Sequence, residues 1–345
     1  MKKYRVGILG ATGTVGQRFI QLLEGHPQFE ITALGASDRS AGKQYAEACA
    51  WKLTGEIPES VREIEVQAIE PPLDCDIVFS SLPSNVARET EEAFARAGFP
   101  VISNSSCYRM DEDVPLLIPE INHEHVGLIE TQRKRRGFGK GFIVTNPNCA
   151  VTSFAPPLAA LHRSFGVEAA VITTMQAISG AGYPGVSAMD ISDNVLPYIA
   201  GEEPKVEIEA QKILGKFSEG AVTNADFSVS AQCFRVDVID GHTAAIRVNL
   251  KQNATLEDVV DAMRSFPVLD LHSSPAEFMH VFDEPSRPQP RLDRDNGKGM
   301  TISVGRIFPD NVFDYRFVSL SHNTVRGAAG CAILNAELLI DKGII

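Results

Sequence analysis

Nowhere does the 345-residue chain hold an apolar run approaching the roughly 18 residues that a bilayer span requires, which excludes an α-helical integral membrane protein. It has no surplus of positive charge. The net charge of -12 argues against nucleic acid and against an anionic membrane as partners, because both favour a basic surface. A small anionic substrate held by local arginines stays open. The six cysteines, Cys49, Cys75, Cys107, Cys149, Cys233 and Cys331, have no CxxC spacing, so neither a zinc knuckle nor a dense disulfide framework is encoded and reduced thiols are expected. There is no internal repeat and no low-complexity tract. Two lysines after Met1 lead straight into a strand pattern, without an apolar stretch or a small-residue cleavage site, and a cytoplasmic location is expected.

What is present is an ordinary globular composition, 44% hydrophobic and 22% charged. Single cores stop growing at roughly 250 to 300 residues, so two domains are expected. Tyr4 to Leu9 reads as a buried strand, Gly10 to Gly16 as a glycine-rich turn and Val15 to Leu23 as a helix with Val15, Phe19, Ile20 and Leu23 on one side. Strands at Ile31 to Ala36, Asp76 to Leu82 and Val101 to Ser103, with a helix over Asn85 to Ala97, continue the alternation that builds a parallel sheet. After Cys149 the pattern changes: strands at Val167 to Gln176, Cys233 to Ile239, His242 to Leu250 and Thr301 to Arg306, a loop at Gly180 to Gly185 and a charged helix at Glu202 to Leu214 predict an α+β second domain. The tail, Val325 to Ile340, is a small-residue helix that should pack back on the first domain. Arg133-Lys134-Arg135-Arg136 reads as a solvated loop between two apolar runs.

Three features carry chemistry. Gly10-x-x-Gly13-x-x-Gly16 lies between a strand and a helix, where glycines allow the backbone N-H groups and the positive helix end to approach a pyrophosphate. Ser37-Asp38-Arg39-Ser40-Ala41-Gly42-Lys43 follows the second strand and suits a ribose 2′-phosphate through Arg39, although Asp38 could instead hold a ribose hydroxyl. Asn146-Pro147-Asn148-Cys149 puts a thiol directly after an X-Pro turn that ends a strand, the place where a reactive cysteine is displayed. Gln176, Arg235 and His242 close strands or turns later in the chain. His242 alone would be read as a packing histidine, and its company gives it a role.

These residues resemble the aspartate-semialdehyde dehydrogenase family, archaeal and fungal type, nearly from end to end. Besides the segments above, the resemblance is carried by Asn104-Ser105-Ser106, Arg109, Gln176 to Gly182, Gly201-Glu202-Glu203-Pro204-Lys205, Arg235 to His242, Arg306 and Asn323 to Gly330. It implies an N-terminal Rossmann-like doubly wound parallel sheet over 1–148, joined by the C-terminal helix 323–345, as an NADP-binding domain. Residues 149–322 would form an α+β catalytic and dimerisation domain. Cys149 would be the acyl-accepting nucleophile, His242 the acid/base and Gln176 the residue orienting the intermediate. Arg235 would hold the substrate carboxylate and Glu202 its ammonium, while Arg109 and Lys205 would hold phosphate and Asn104 would lie with them at the substrate. Gly10, Thr12, Gly13, Thr14, Val15, Ser37, Arg39, Ser40, Ser80, Ser179, Gly180 and Asn323 would bind the cofactor.

The implied reaction is NADP-dependent reductive dephosphorylation of L-aspartyl 4-phosphate to the semialdehyde through a Cys149 thioester, which calls for no metal. A homodimer or homotetramer is implied as well. The alternative is a malonyl-CoA or succinyl-CoA reductase, which would use the same thioester and hydride steps with coenzyme A leaving. N-acetylglutamyl-phosphate reductase is disfavoured by Asn148, where that family places glycine before its cysteine. A cofactor-binding relic without activity should have lost at least one of Cys149, Gln176, Arg235 and His242, and all are present. Ala150-Val151 depart from the hydroxyl residues common after the family's nucleophile. Cys107 and the remaining cysteines read as packing.

Overall fold

A computed structural model describes residues 3–345. The first sheet has six parallel strands in the order β3-β2-β1-β4-β5-β6: β1 Tyr4–Leu9, β2 Phe29–Gly35, β3 Val66–Gln67, β4 Ile77–Ser80, β5 Pro100–Ser103 and β6 Phe142–Thr145. Successive strand residues alternate between two cores. Val6, Ile8, Phe79, Ile102 and Val144 face one side with Phe19 and Ile20 of α1 (Thr14–Leu23). Leu9, Val78, Val101 and Ile143 face the other with Phe94 of α2 (Ser84–Arg96). Burial of both faces is why these strands read as continuous apolar runs, and it leaves the carboxyl ends of the strands as the open edge.

The basic stretch is not a loop. Arg133 to Arg136 form the last turn of α3 (Leu128–Arg136), where cations complement the negative helix end, and Gly137 at φ 68° terminates the helix. Arg136 pairs with Asp113 and, at 3.0 Å, with Asp111, so the run is bound to the preceding loop through acidic residues rather than solvated throughout.

The second domain begins with α4 (Val151–Phe165), whose Phe154, Leu158 and Leu161 pack on a mixed sheet ordered β10-β7-β11-β14-β13-β12. Its strands are β7 Val167–Gln176, β10 Ser228–Arg235, β11 His242–Leu250, β12 Met279–Val281, β13 Ile302–Pro309 and β14 Tyr315–Ser321, while β8 Lys216–Ser218 and β9 Ala221–Thr223 form a separate hairpin after α5 (Glu202–Ile213). The strand expected over Cys233 to Ile239 runs instead over Ser228–Arg235, pairing in parallel with β7 from Ala169 to Gln176. Its outward Ser228, Ser230 and Gln232 hid the alternation, and Val236 to Asp240 form an irregular crossing.

The chain then returns to the first sheet. Val325–Ala329 make a π-helical turn and α6 (Gly330–Asp341) follows, burying Ala332, Ile333, Ala336 and Leu339 among the side chains of β1, β4 and α1. Arg326 and Glu120, both fully shielded from solvent or nearly so, pair at 2.9 and 2.6 Å and fix that turn to the short helix Pro119–Asn122. Among the described residues no helix is long and apolar enough to cross a membrane.

Candidate active site

The open edge of the first sheet faces the second domain across a cleft of about 1010 Å³. Its floor is the glycine turn. Gly10 adopts φ +79° and a Cβ there would sit 2.9 Å from the Ser81 carbonyl, while no side chain caps α1, so the first-turn amides stay directed at the cleft. Thr12, Gly13, Thr14 and Val15 line it, and Arg39 is the member of the Ser37 to Ser40 turn that does so.

Ser37 and Ser40 shape that turn, with the Ser40 amide donating to the Ser37 carbonyl at 2.8 Å. Ser80 is fully buried, and its hydroxyl donates to Glu91 at 2.6 Å. The neighbouring Ser81, Leu82 and Pro83 line the cleft instead. Glu91 also accepts from Ser103, and burial raises its carboxyl to about 7.

At the inner end Cys149 precedes α4, at the positive end of that helix. His242, the first residue of β11, brings Nε2 to 3.2 Å from the sulfur. The Ala177 amide donates to His242 Nδ1 at 3.0 Å, so in this arrangement the ring proton resides on Nε2 and points at the sulfur. Burial, then Arg235 and His322, lower His242 to about 3, in agreement with a neutral ring. Burial and then Glu202 push the Cys149 thiol up to about 12, opposed by Arg109, Arg235 and its own backbone N-H.

The nucleophile turn is held from every side. Asn146 donates to Asn104 Oδ1 and to the Ala328 carbonyl, each at 2.8 Å, and Asn335 donates to Asn146 at 2.7 Å. Asn148 Oδ1 accepts the Ala150 amide at 2.7 Å while its Nδ2 donates to Glu202 at 2.9 Å. Gly327 of the π-turn lies against the nucleophile, since a Cβ there would be 2.9 Å from Cys149 Cβ.

Arg235 ends β10 and donates to the Ala177 carbonyl at 2.8 Å. Gly180 keeps the space between Arg235 and His242 free, because a Cβ would stand 2.9 Å from one and 3.0 Å from the other. Arg109 lines the cleft and donates to the Asn104 carbonyl at 2.8 Å. Lys205 is 3.5 Å from Glu202 on the same helix face. Asn323 Nδ2 donates to Ser179 Oγ and its Oδ1 accepts the Gly241 amide, both at 2.8 Å, which joins the two sides of the cleft. Gln176 is buried, donates to Thr174 at 3.3 Å and does not line the cleft. Among the described residues no group of three or more His, Cys, Asp or Glu side chains is placed to hold a metal ion.

Four residues that the sequence reading missed belong to this site. Gln17 donates to the Thr12 and Ala50 carbonyls and accepts the Lys52 amide, stitching the glycine turn to the cleft rim. Lys52 stands 4.3 Å from the Tyr183 ring, a cation-π contact between the two rims of the cleft. Glu209 contacts both Arg109 and the Asn148 amide. It follows Glu202 by seven residues, two helical turns, so the helix period alone would have placed it on the site's side.

A parallel sheet whose strand ends open on a glycine turn, joined to a domain that sets a cysteine in the same cleft with a buried histidine behind its sulfur, is the construction of a nicotinamide-dependent dehydrogenase that works through an enzyme thiol. The semialdehyde dehydrogenase NAD binding domain matches residues 5–129 and the semialdehyde dehydrogenase dimerisation domain matches residues 158–326. Aspartate-semialdehyde dehydrogenase of Archaeoglobus fulgidus is 53% identical over 99% of this chain and 100% of the relative. The crystal structure of the Candida albicans enzyme with NADP superposes with a TM-score of 0.91 at 46% identity, covering 100% of both chains. Aspartate semialdehyde dehydrogenase II of Vibrio cholerae complexed with ASA gives 0.79 at 26% identity over 99% of both. The chain belongs to the aspartate-semialdehyde dehydrogenase family.

Proposed function

We propose that the protein catalyses the NADPH-dependent reductive dephosphorylation of L-aspartyl 4-phosphate to L-aspartate 4-semialdehyde, through a thioester on Cys149. The observation that carries this reading is the 3.2 Å approach of Cys149 Sγ to His242 Nε2 at the inner end of the nucleotide cleft. A soft nucleophile suits the reaction because the thioester it forms is an acyl carrier that accepts hydride. When bound, NADPH supplies that hydride. The uncapped first turn of α1, with Gly10 to Val15, holds the pyrophosphate, and Arg39, with Ser37 and Ser40 shaping its turn, holds the 2′-phosphate. Ser179, Gly180 and Asn323 border the nicotinamide end. The relative solved with NADP supports this cofactor.

Cys149, having given its proton to solvent, attacks the acyl carbon as a thiolate and phosphate leaves toward Arg109 and Lys205, beside Asn104. The Asn148 amide is taken by Glu209 and the Ala150 amide by Asn148 Oδ1, which leaves the Cys149 amide to face the developing oxyanion. Arg235 holds the substrate carboxylate. Gln176 lies behind the cleft wall next to the Ala177 amide that holds His242, and acts on the intermediate by keeping that histidine in place. His242 presents its Nε2-H to the sulfur and to the carbonyl oxygen. When the C-S bond breaks after reduction, the aldehyde leaves and the thiolate is regenerated beside that N-H.

Glu202 ties substrate choice to reactivity, since its charge helps to hold the thiol up and a substrate ammonium paired with it relieves that effect. Glu202→Gln should raise KM for aspartate semialdehyde about 10- to 100-fold, yet speed iodoacetamide alkylation of the free enzyme. Slower alkylation would contradict the coupling. The function itself is tested by NADP⁺ reduction with aspartate semialdehyde, with and without phosphate, alongside NADPH oxidation with malonyl-CoA. Phosphate-dependent activity is expected, and activity with the CoA thioester alone would overturn the reading.

We place the cofactor domain at 1–148 with 323–345 and the catalytic and dimerisation domain at 149–322, in a cytoplasmic homodimer or homotetramer. The open face of the second sheet, with half-buried Val171, Met175, Ala245 and Val318, supports self-association there.

A further inference from the structure

Glu209 touches neither substrate nor cofactor in the reading above and is 2% exposed, yet its two oxygens serve two parts of the site. Oε1 accepts from Arg109 Nη1 at 3.0 Å, and Oε2 accepts the backbone N-H of Asn148 at 2.6 Å. One carboxylate therefore joins the guanidinium on the anion side of the cleft to the peptide immediately before the nucleophile. The helix that carries it cannot drift from that loop. Lys212, three residues on, donates its buried ammonium to the carbonyls of Arg109, Asp111 and Val114 at 2.7, 2.8 and 2.8 Å.

We propose that Glu209 is a positioning residue, setting the attack geometry of Cys149 through the Asn148 amide and the aim of Arg109 at the phosphate. The second half of this rests on Arg109 as the phosphate ligand. Arg109 Nη2 is committed to the Asn104 carbonyl, so with Nη1 on Glu209 the guanidinium plane is fixed by two contacts. Loss of Glu209 leaves it one. The Asn148 amide has Glu209 as its acceptor, and loss of that acceptor frees the peptide plane that orients the Cys149 N-H.

The oxidative direction separates the two effects. Without phosphate, Cys149 adds to the aldehyde and the hemithioacetal is oxidised to the thioester as NADP⁺ takes the hydride and solvent takes the hydroxyl proton, a burst of at most one NADPH per site. Phosphate then takes the acyl group from sulfur, so the phosphate dependence of steady turnover reports Arg109. Glutamine offers one acceptor oxygen where glutamate offers two. Glu209→Gln should therefore lose about 10-fold in either burst rate or phosphate KM and hold the other within about twofold, while Glu209→Ala loses about 10-fold in both with NADPH binding retained.

A Gln variant altered in both or in neither, or an Ala variant with an unchanged burst rate per active site, overturns the proposal. A purely structural role would give that last result, with only the melting temperature and the active fraction reduced. Arg109→Met is measured in parallel. If phosphate KM is unchanged there, the phosphate reading of Arg109 fails, and the burst rate of Glu209→Ala alone decides the role of Glu209.

Discussion

Replacing Cys149 by alanine is expected to lower turnover by at least ~10⁴-fold while leaving NADPH affinity within about twofold. The fold should tolerate the change, because the contacts that fix the turn run through backbone and neighbours. Asn148 and Ala150 are held by their amides, and the close approach of Gly327 is to Cβ and Cα, which alanine keeps. Serine should be as inactive as alanine. With Ala177 donating to Nδ1 and the ring proton on Nε2, His242 has no free lone pair to accept a hydroxyl proton. Only a group that ionises unaided can act there, which a thiol does far more readily than an alcohol. Steady-state rates, an NADPH fluorescence titration and a melting curve on the same preparations test this, and residual turnover above about one per cent would sink the covalent route.

The parts of the site legible in the sequence are those whose chemistry is local. The glycine turn lies between a strand and a helix that its own residues specify, and the Asn-Pro-Asn-Cys run is a turn and a nucleophile in four residues. The strand end at Gln176 and the strand start at His242 could be found, whereas Arg235 reads as lying inside a strand that in fact ends there, and the approach of Arg235 and His242 to one sulfur needed the resemblance to a family, because β10, β7 and β11 are neighbours only through the sheet. Ser80 shows the limit on a scale of one residue. Alternation along β4 sends its hydroxyl under α2 to Glu91, and Ser81 is the one that faces the cleft. The run at Arg133 reads as a loop because charge masks its helical setting, which Gly137 and the acidic partners Asp111 and Asp113 reveal. Gln17 left no local trace, and Gly327, though inside the Asn323 to Gly330 run, gave no sign of its approach to Cys149. Gln17 joins segments 33 and 35 residues away, and the Gly327 contact depends on a π-turn returning from the far end of the chain.

The pH dependence of kcat/KM should show no inflection near 6.5 from His242, and should rise with pH through the neutral range as the thiolate forms. The signs follow from geometry. A histidine lowered to about 3 stays neutral wherever the enzyme is assayed, and a thiol raised to about 12 is mostly protonated there, so each unit of pH gives up to about tenfold more thiolate in the free enzyme that kcat/KM reports. His242→Asn should then cost about 10²- to 10³-fold in kcat through loss of the Nε2-H that faces sulfur and oxyanion, while the slope stays as in the parent. Folding carries the same signature. The native state resists a proton on His242 that the unfolded chain accepts below about 6.5, so this residue's contribution to stability falls as pH drops from there toward 3, a loss that His242→Asn should remove. An inflection between pH 6 and 7 that vanishes in His242→Asn would mean that the ring is charged in the working enzyme. The Ala177 amide would then have to release Nδ1, and His242 would act as a proton-transferring base instead of a fixed donor.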